Sequence, residues 1–332
     1  MPTILAIESS CDDTSCAVIK DGVVLSNIIA GQAVHSEWGG VVPELASRAH
    51  HQNIVPVVNS AIESAFLSKA DIDAVGFTRG PGLLGSLLVG TSFAKAFALA
   101  NDLPLIEVNH MIAHVLAHFI EDPKPKFPFL CLTVSGGHTQ IVLVKDHLDM
   151  EVIGSTKDDA AGEAFDKSAK LLGLTYPGGP LIDKYAQNGE VKYEFPKSKV
   201  GDYDYSFSGL KTAIMNFINN NKQKDPAFVD RELDHICASI QHIIIETLMK
   251  KLIMAANDLD IKEIAIAGGV SANSGLRNAI IYYGKKYNWN TYIPKFDYCT
   301  DNAAMIAITA HYKYLKKEFV DQSVSPLSRL KI

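Results

Sequence analysis

The chain has 332 residues, 47% of them hydrophobic and 20% charged, with 31 Lys and Arg set against 37 Asp and Glu. That size and apolar content suit an ordinary soluble globular protein with substantial cores and room for two domains. A net charge of −6 argues against unaided capture of nucleic acid, because phosphate neutralisation supplies most non-specific affinity, so such a substrate would need local basic patches or a partner protein.

The opening "MPTILAIESS" has no basic lead and carries Glu8 where a signal peptide is apolar, so no export is expected. Five cysteines without a compact framework fit a reducing cytoplasm, and Cys11 and Cys16 read as structural. The first element, "ILAIESSCDDTSCAVIKD" from Ile4 to Asp21, is two apolar runs around small and polar residues and predicts a β-hairpin. "DIDAVGFTRGPG" at 71 to 82 predicts a strand and a glycine turn, followed by a helix. The apolar run Leu83 to Ala100, interrupted by Gly85, Gly90 and Lys95, fits a buried helix better than a membrane span.

"NHMIAH" then places His110 and His114 on one helical face, the spacing at which two imidazoles hold one metal ion. The zinc-protease motif "HExxH" needs a glutamate as general base, and Met111 stands there instead, so a protease is disfavoured. Two histidines satisfied inside a core remain the alternative.

"FLCLTVSGGHTQIVLVKD", Phe129 to Asp146, repeats the first hairpin at an offset of 125, matching Thr139 to Thr14, Lys145 to Lys20 and Asp146 to Asp21. Extra sequence from about Ser155 to Leu252 has no counterpart in the first half and includes the amphipathic "DDAAGEAFDKSAKLLGL". Asp166 lies on that predicted helix and Asp183 beyond the glycines of "YPGG". They read either as helix caps or as a carboxylate pair for ribose hydroxyls. "DIKEIAIAGGVS" at 260 to 271 repeats 71 to 82, and "NTYIPKFDYCTDNAAMIA" repeats "LPLIEVNHMIAH" more loosely. The basic stretches at 283 to 287 and 312 to 317 fit solvated helix faces.

Three correspondences in one order imply a duplication, with two related α/β halves of layered sheet and helix facing each other. The boundaries follow: a lobe over 1–125, to which a helix at about 303–325 returns, and a lobe over 126–302 with a helical insertion at about 155–252. Asp301 opens the second half's equivalent of the histidine helix. Across a pseudo-twofold cleft it would complete an open site of two histidines and a carboxylate. The glycine loops "VSGGHT" and "AGGVSAN" suit backbone N–H contacts to phosphate.

Taken together, "IESSCDDTS", "GPGLLGSLLVG", "NHMIAH", "VSGGHT", "GEAFDKSAKLLGL", "YPGG", "FSGLKT", "GGVSAN" and "TDNAAM" resemble the bacterial tRNA threonylcarbamoyladenosine transferase family (TsaD, formerly glycoprotease) from Ile4 to about Ile308. The resemblance implies the duplicated fold of the actin, Hsp70 and sugar-kinase (ASKHA) superfamily, with two lobes around a central cleft. It also implies transfer of threonylcarbamoyl from threonylcarbamoyl-AMP to N6 of adenosine 37, in tRNAs reading codons that begin with adenine. By the same resemblance His110, His114 and Asp301 hold a divalent metal, iron(II) first and zinc(II) as the alternative. Val134, Ser135, Gly136, Gly137, His138, Asp166, Gly179, Asp183 and Asn273 would bind the donor's nucleotide. Asp12 would be the catalytic carboxylate, with Glu8 and Asp13 as runners-up. Implied partners are tRNA, an inactive TsaB-like paralogue and a TsaE-like P-loop ATPase, in the cytoplasm and without a membrane. The competing reading is an ATP-dependent sugar or acetate kinase of the same fold.

Overall fold

The structure, a computed structural model, describes residues 2–32, 35, 40–197 and 200–332. It divides into two compact units. The first comprises Met1–Lys124, Asp146–Met150 and Pro294–Ile332, and the second Pro125–Lys145 and Glu151–Ile293.

In chain order the first unit contains β1 (Thr3–Glu8), β2 (Thr14–Lys20), β3 (Val23–Ala30), α1 (Pro43–Ser64), β4 (Ala74–Gly80), α2 (Leu84–Ala100), β5 (Leu105–Asn109) and α3 (His110–Leu116). The second contains β6 (Phe129–Val134), β7 (Thr139–Asp146) and β8 (Asp149–Ser155), then the helices α4 (Ala161–Leu171), α5 (Gly178–Ala186), α6 (Ser208–Lys222) and α7 (Phe228–Asp258). It ends with β9 (Glu263–Ala267), α8 (Ser274–Tyr287) and β10 (Asn290–Tyr292), after which α9 (Ala303–Leu315) belongs to the first unit again.

The two sheets have the same plan. Their orders are β3-β2-β1-β4-β5 and β10-β9-β6-β7-β8, the second being the first read backwards with each strand replaced by its repeat. Even the hairpin register is kept, since Ile4 faces Ile19 and Phe129 faces Val144, each 125 residues further on. β1 pairs antiparallel with β2 and parallel with β4, and β6 does the same with β7 and β9. Every residue of β1 and of β6 is buried, as the four-residue apolar runs at 4–7 and 129–132 require of central strands covered on both faces. The expected insertion is partly matched after all: α7 precedes β9 as α1 precedes β4, and α4 to α6 are what the second unit adds.

Alternation along the strands decides what each face of the first sheet receives. Leu5, Ile7, Val75 and Phe77 join the core with Ile54, Val58 and Ala61 of α1 and Ala94 and Ala98 of α2. Ala6 and Gly76 point the other way, toward α9, and a Cβ on Gly76 would stand 2.8 Å from that of Ala310. Small residues on this face let α9, buried without a break from Ala303 to His311, lie close against the strands. The segment after α9 runs back along the same unit, with Val320 bridging Leu105 and the Leu327 N–H donating to Arg79 O at 2.8 Å.

Two sequence expectations change here. The run Leu83 to Ala100 does form a helix, but α2 buries one stripe (Leu87, Thr91, Ala94, Ala98) and leaves Leu84, Leu88 and Leu99 exposed. A helix lying on a sheet covers one face, and an all-apolar run does not say which. The stretch from Pro294, with Asp301 in it, lies in the first unit and not the second, because α9 crosses back to fill the small-residue face of the first sheet. Among the described residues no helix is long and apolar enough to cross a membrane.

Candidate functional site

α3 begins where it does because Asn109 caps it, its Oδ1 accepting from Met111 N at 2.8 Å and Ile112 N at 3.3 Å. The helix thus places His110 and His114 on one face, their rings nearly perpendicular with centroids 4.7 Å apart. α9 is capped likewise by Asn302, which accepts from Met305 N at 3.1 Å, and packs against α3. Asp301, one residue before that cap, reaches the pair: its Oδ1 lies 3.3 Å from His110 Nε2 and 3.2 Å from His114 Nε2. The ligand atoms of the three residues lie within 4.8 Å of one another. The expected triad is therefore assembled, within one unit and not between two halves.

Behind it stands a group the sequence offered only as a spare base. Glu8 ends β1 fully buried, its Oε2 3.0 Å from His110 Nδ1 and its other contacts the Thr78 hydroxyl at 2.6 Å and the Ser10 N–H. Ser10 Oγ also approaches His110 Nδ1, at 3.2 Å. A carboxylate on Nδ1 fixes the ring and directs Nε2 at the metal position, the usual support of a histidine ligand.

The charges follow from this crowding. Burial works against the charge of Asp301, but the His110 imidazolium and the contacts from both rings outweigh it and hold the carboxyl far below its ordinary range. Burial likewise opposes ionisation of Glu8, and His110 again outweighs it. His110 is raised well above a histidine's usual value, since Asp301 and Glu8 overcome its burial, whereas burial lowers His114 and keeps it neutral. Two imidazoles and a carboxylate crowded this closely suit a divalent cation, which binds them in their deprotonated forms. His114 fits such an ion: it is buried, and neither ring nitrogen has a well-aligned hydrogen-bond partner among the described residues.

Residues 9–13 join β1 to β2 and carry Asp12 and Asp13 past this site. Burial, then the charges of Asp12, Asp301 and Glu8, push the Asp13 carboxyl up to about 7. Burial pushes the Cys11 and Cys16 thiols up, which suits structural roles for both.

The nine expected nucleotide residues all lie in the second unit, and short contacts link the elements that carry them. Val134 ends β6, and the turn after it closes through Ser135 N–H to His138 O at 2.8 Å and His138 N–H to Ser135 Oγ at 3.1 Å. Gly136 and Gly137 are exposed at its tip, with open space where side chains would be. Gly162 N–H donates to Ser135 O at 3.2 Å, bringing the start of α4 to this turn. From the other side Gly268, at φ +83, passes so near that a Cβ would be 2.5 Å from Val134 O. Asp166 on α4 accepts from Gly178 N at 2.8 Å and Gly179 N at 3.2 Å, the first residues of α5. Its pKa is raised, since burial outweighs those two N–H groups. Asp183 on α5 accepts from Ser274 N at 2.9 Å and Ser274 Oγ at 2.6 Å, at the start of α8. Asn273 caps α8 through Leu276 N at 3.0 Å and donates to Gln241 at 2.7 Å. Both carboxylates thus act on helix starts, the capping role that stood beside the ribose one. An exposed glycine turn beside the start of α4 can receive an anion such as phosphate. Ser271 Oγ, buried there without a partner among the described residues, was not legible in the sequence.

Comparison with known proteins bears on both sites. Residues 23–308 match the family TsaD, tRNA N6-adenosine threonylcarbamoyltransferase. A protein of that name from Christiangramia forsetii is 60% identical over 332 residues, covering 99% of this chain and 98% of its own. Another, from Riemerella anatipestifer, is 61% identical over 333 residues with the same coverage. Among solved structures, HypF of T. kodakarensis is similar with a TM-score of 0.63 at 13% identity, over 97% of this chain and 49% of that one. Component A of (R)-2-hydroxyglutaryl-CoA dehydratase from Acidaminococcus fermentans scores 0.53 at 15% identity, over 95% and 100%. The fold is the duplicated α/β fold of the actin, Hsp70 and sugar-kinase superfamily.

Proposed function

We infer the activity from a plain premise: the chain belongs to the TsaD family, the tRNA N6-adenosine threonylcarbamoyltransferases, and is a transferase that forms threonylcarbamoyladenosine in tRNA. We propose that the acceptor is adenosine 37 of tRNAs reading codons that begin with adenine, and the donor threonylcarbamoyl-AMP. The observation that carries the site assignment is the meeting of His110, His114 and Asp301. A sugar or acetate kinase would hold Mg²⁺ through phosphates and carboxylates and has no use for two histidines, so that reading is not favoured.

Those three residues would hold the divalent metal that the family implies, iron(II) before zinc(II), with Glu8 fixing His110. When bound, such an ion supplies a template and a Lewis acid for oxygens of the donor. The chain's residues do the rest. The turn Val134 to His138, with Gly179 and Asn273 and the caps Asp166 and Asp183, binds and orients the nucleotide. N6 of the adenosine forms a bond to the carbamoyl carbon, the bond from that carbon to the phosphate oxygen breaks, and AMP departs. Asp12 accepts the proton that the amine gives up. Because the nucleophile is an amine, no water needs a base beside the histidines, and Met111 is no obstacle.

The negative net charge favours help with tRNA capture, and we propose a TsaB-like paralogue and a TsaE-like ATPase as partners in the cytoplasm. The test is transfer of labelled threonine from the donor to unmodified tRNA with those partners present. The wild type forms product and His110→Ala does not; product undiminished in the variant would remove the metal from the reading.

A further inference from the structure

His50 is a fully buried polar side chain for which the mechanism above has no use. It lies on α1, and both its ring nitrogens are engaged by residues flanking the two aspartates of the β1–β2 connection: Nε2 is 2.9 Å from Cys11 O and Nδ1 is 2.7 Å from Thr14 Oγ1. A carbonyl only accepts, so Nε2 carries the proton and Nδ1 accepts from the threonine hydroxyl. The neutral ring is then a rigid spacer between Cys11 and Thr14. On the far side the same connection is fastened to α2, through Ser9 Oγ to Ser86 O at 3.0 Å and Leu83 N–H to Ser10 O at 2.7 Å. Every residue bordering Asp12 and Asp13 is thereby held.

The duplication supplies a control. Thr139 is the repeat of Thr14 and begins β7 as Thr14 begins β2, yet its hydroxyl accepts from Ala161 N at 2.9 Å, and among the described residues no histidine bonds to it. The fold thus has a simpler use for this threonine. In the first unit it has been turned to fixing the loop that carries the proposed base.

We propose that His50 is a positioning residue for the transfer reaction, holding the Cys11–Thr14 backbone so that Asp12 meets the adenosine amine. The proposal rests on the assignment of Asp12. Misplacement of a reacting group by about 1 Å costs about 100-fold in rate, so loss of the spacer should appear in kcat.

The experiment is the transfer assay with partner proteins on His50→Leu, His50→Gln, Asp12→Asn and the double variant Asp12→Asn/His50→Leu, with metal content measured for each. The expected result for His50→Leu is a fall in kcat of about 10- to 100-fold with KM for tRNA and metal content unchanged. His50→Gln, whose amide can still donate to Cys11 O, recovers most of the rate. In the Asp12→Asn background His50→Leu costs nothing more, because the group it positions is gone. Additive losses, or a His50→Gln no better than His50→Leu, would overturn the proposal while leaving Asp12 in place. If Asp12→Asn keeps full activity, it is the assignment of Asp12 that fails. Should His50→Leu not fold, Thr14→Val removes only the hydroxyl donor, and an unchanged kcat there would equally overturn the role.

Discussion

Glu8 Oε2 lies 3.0 Å from His110 Nδ1, the nitrogen opposite the one that approaches Asp301. The carboxylate is buried and receives the Thr78 hydroxyl as well, so it cannot swing away. Loss of such an outer partner costs about 10- to 100-fold in metal affinity. Glu8→Gln should weaken metal binding by that factor in chelator competition while leaving His110 and His114 in place. An unchanged affinity would mean that Glu8 merely fills the strand end.

Asp301 should be indispensable to retention of the ion. Chelation of the wild type should abolish threonylcarbamoyl transfer and added metal restore it, whereas Asp301→Ala should stay inactive after metal is returned. The ion must also displace the proton that His110 holds above a histidine's usual range. Metal affinity should therefore climb as pH rises, and affinity independent of pH between 6 and 8 would contradict the pairing.

Asp13 gives a pH-dependent stability of definite sign. Its carboxyl is pushed up to about 7, above an unfolded value of about 4, so the folded metal-free protein keeps the proton that the unfolded chain releases. The stability from this group is fully present below about pH 4 and is lost as pH rises through about 7. Asp13→Asn removes the loss. Urea melts of metal-free protein should show the variant more stable at pH 8 by on the order of 1 kcal/mol, a figure reduced for the group's partial exposure, and the gap should close near pH 4.

Much of this was legible in the chain because it repeats itself in the same order. The hairpin register at an offset of 125 and the i, i+4 histidines follow from periodicity, whereas the symmetry singled out Asp301 but set it in the opposite half from the histidines whose unit it shares. What periodicity cannot carry is which distant side chains meet. Glu8 sits in an apolar run, and nothing local ties it to a histidine 102 residues away. His50 is one of two adjacent histidines on α1, and only the fold shows that it is the one facing Cys11 and Thr14. The exposed leucines of α2 escaped for the opposite reason, since an unbroken apolar run has no polar side to read.

The small-residue face of the first sheet should be intolerant of size. On Gly76→Val the Cβ would stand 2.8 Å from that of Ala310, and the two further methyls must displace α9. Overpacking of this kind costs about 1–3 kcal/mol. Because α9 follows Asp301, metal affinity should fall together with the melting temperature, and full affinity in a destabilised variant would mean that the helix moves without Asp301.

In the second unit, Asp183→Ala removes both bonds to Ser274 at the start of α8. A lost cap costs about 1 kcal/mol. The transfer assay should show a raised KM for the donor with metal content unchanged. A normal KM would confine Asp183 to stability.

The path of the chain through the two units also sets an order of events on the ribosome. His110 and His114 emerge early, but the whole of the second unit is synthesised before Asp301 and α9 appear. Until then the first sheet lacks the helix that covers one of its faces, and the histidines lack their carboxylate. Loading of the proposed ion would thereby be deferred to the end of translation. A nascent chain stalled before Asp301 would have its second unit complete and its proposed ligand set still short of the carboxylate.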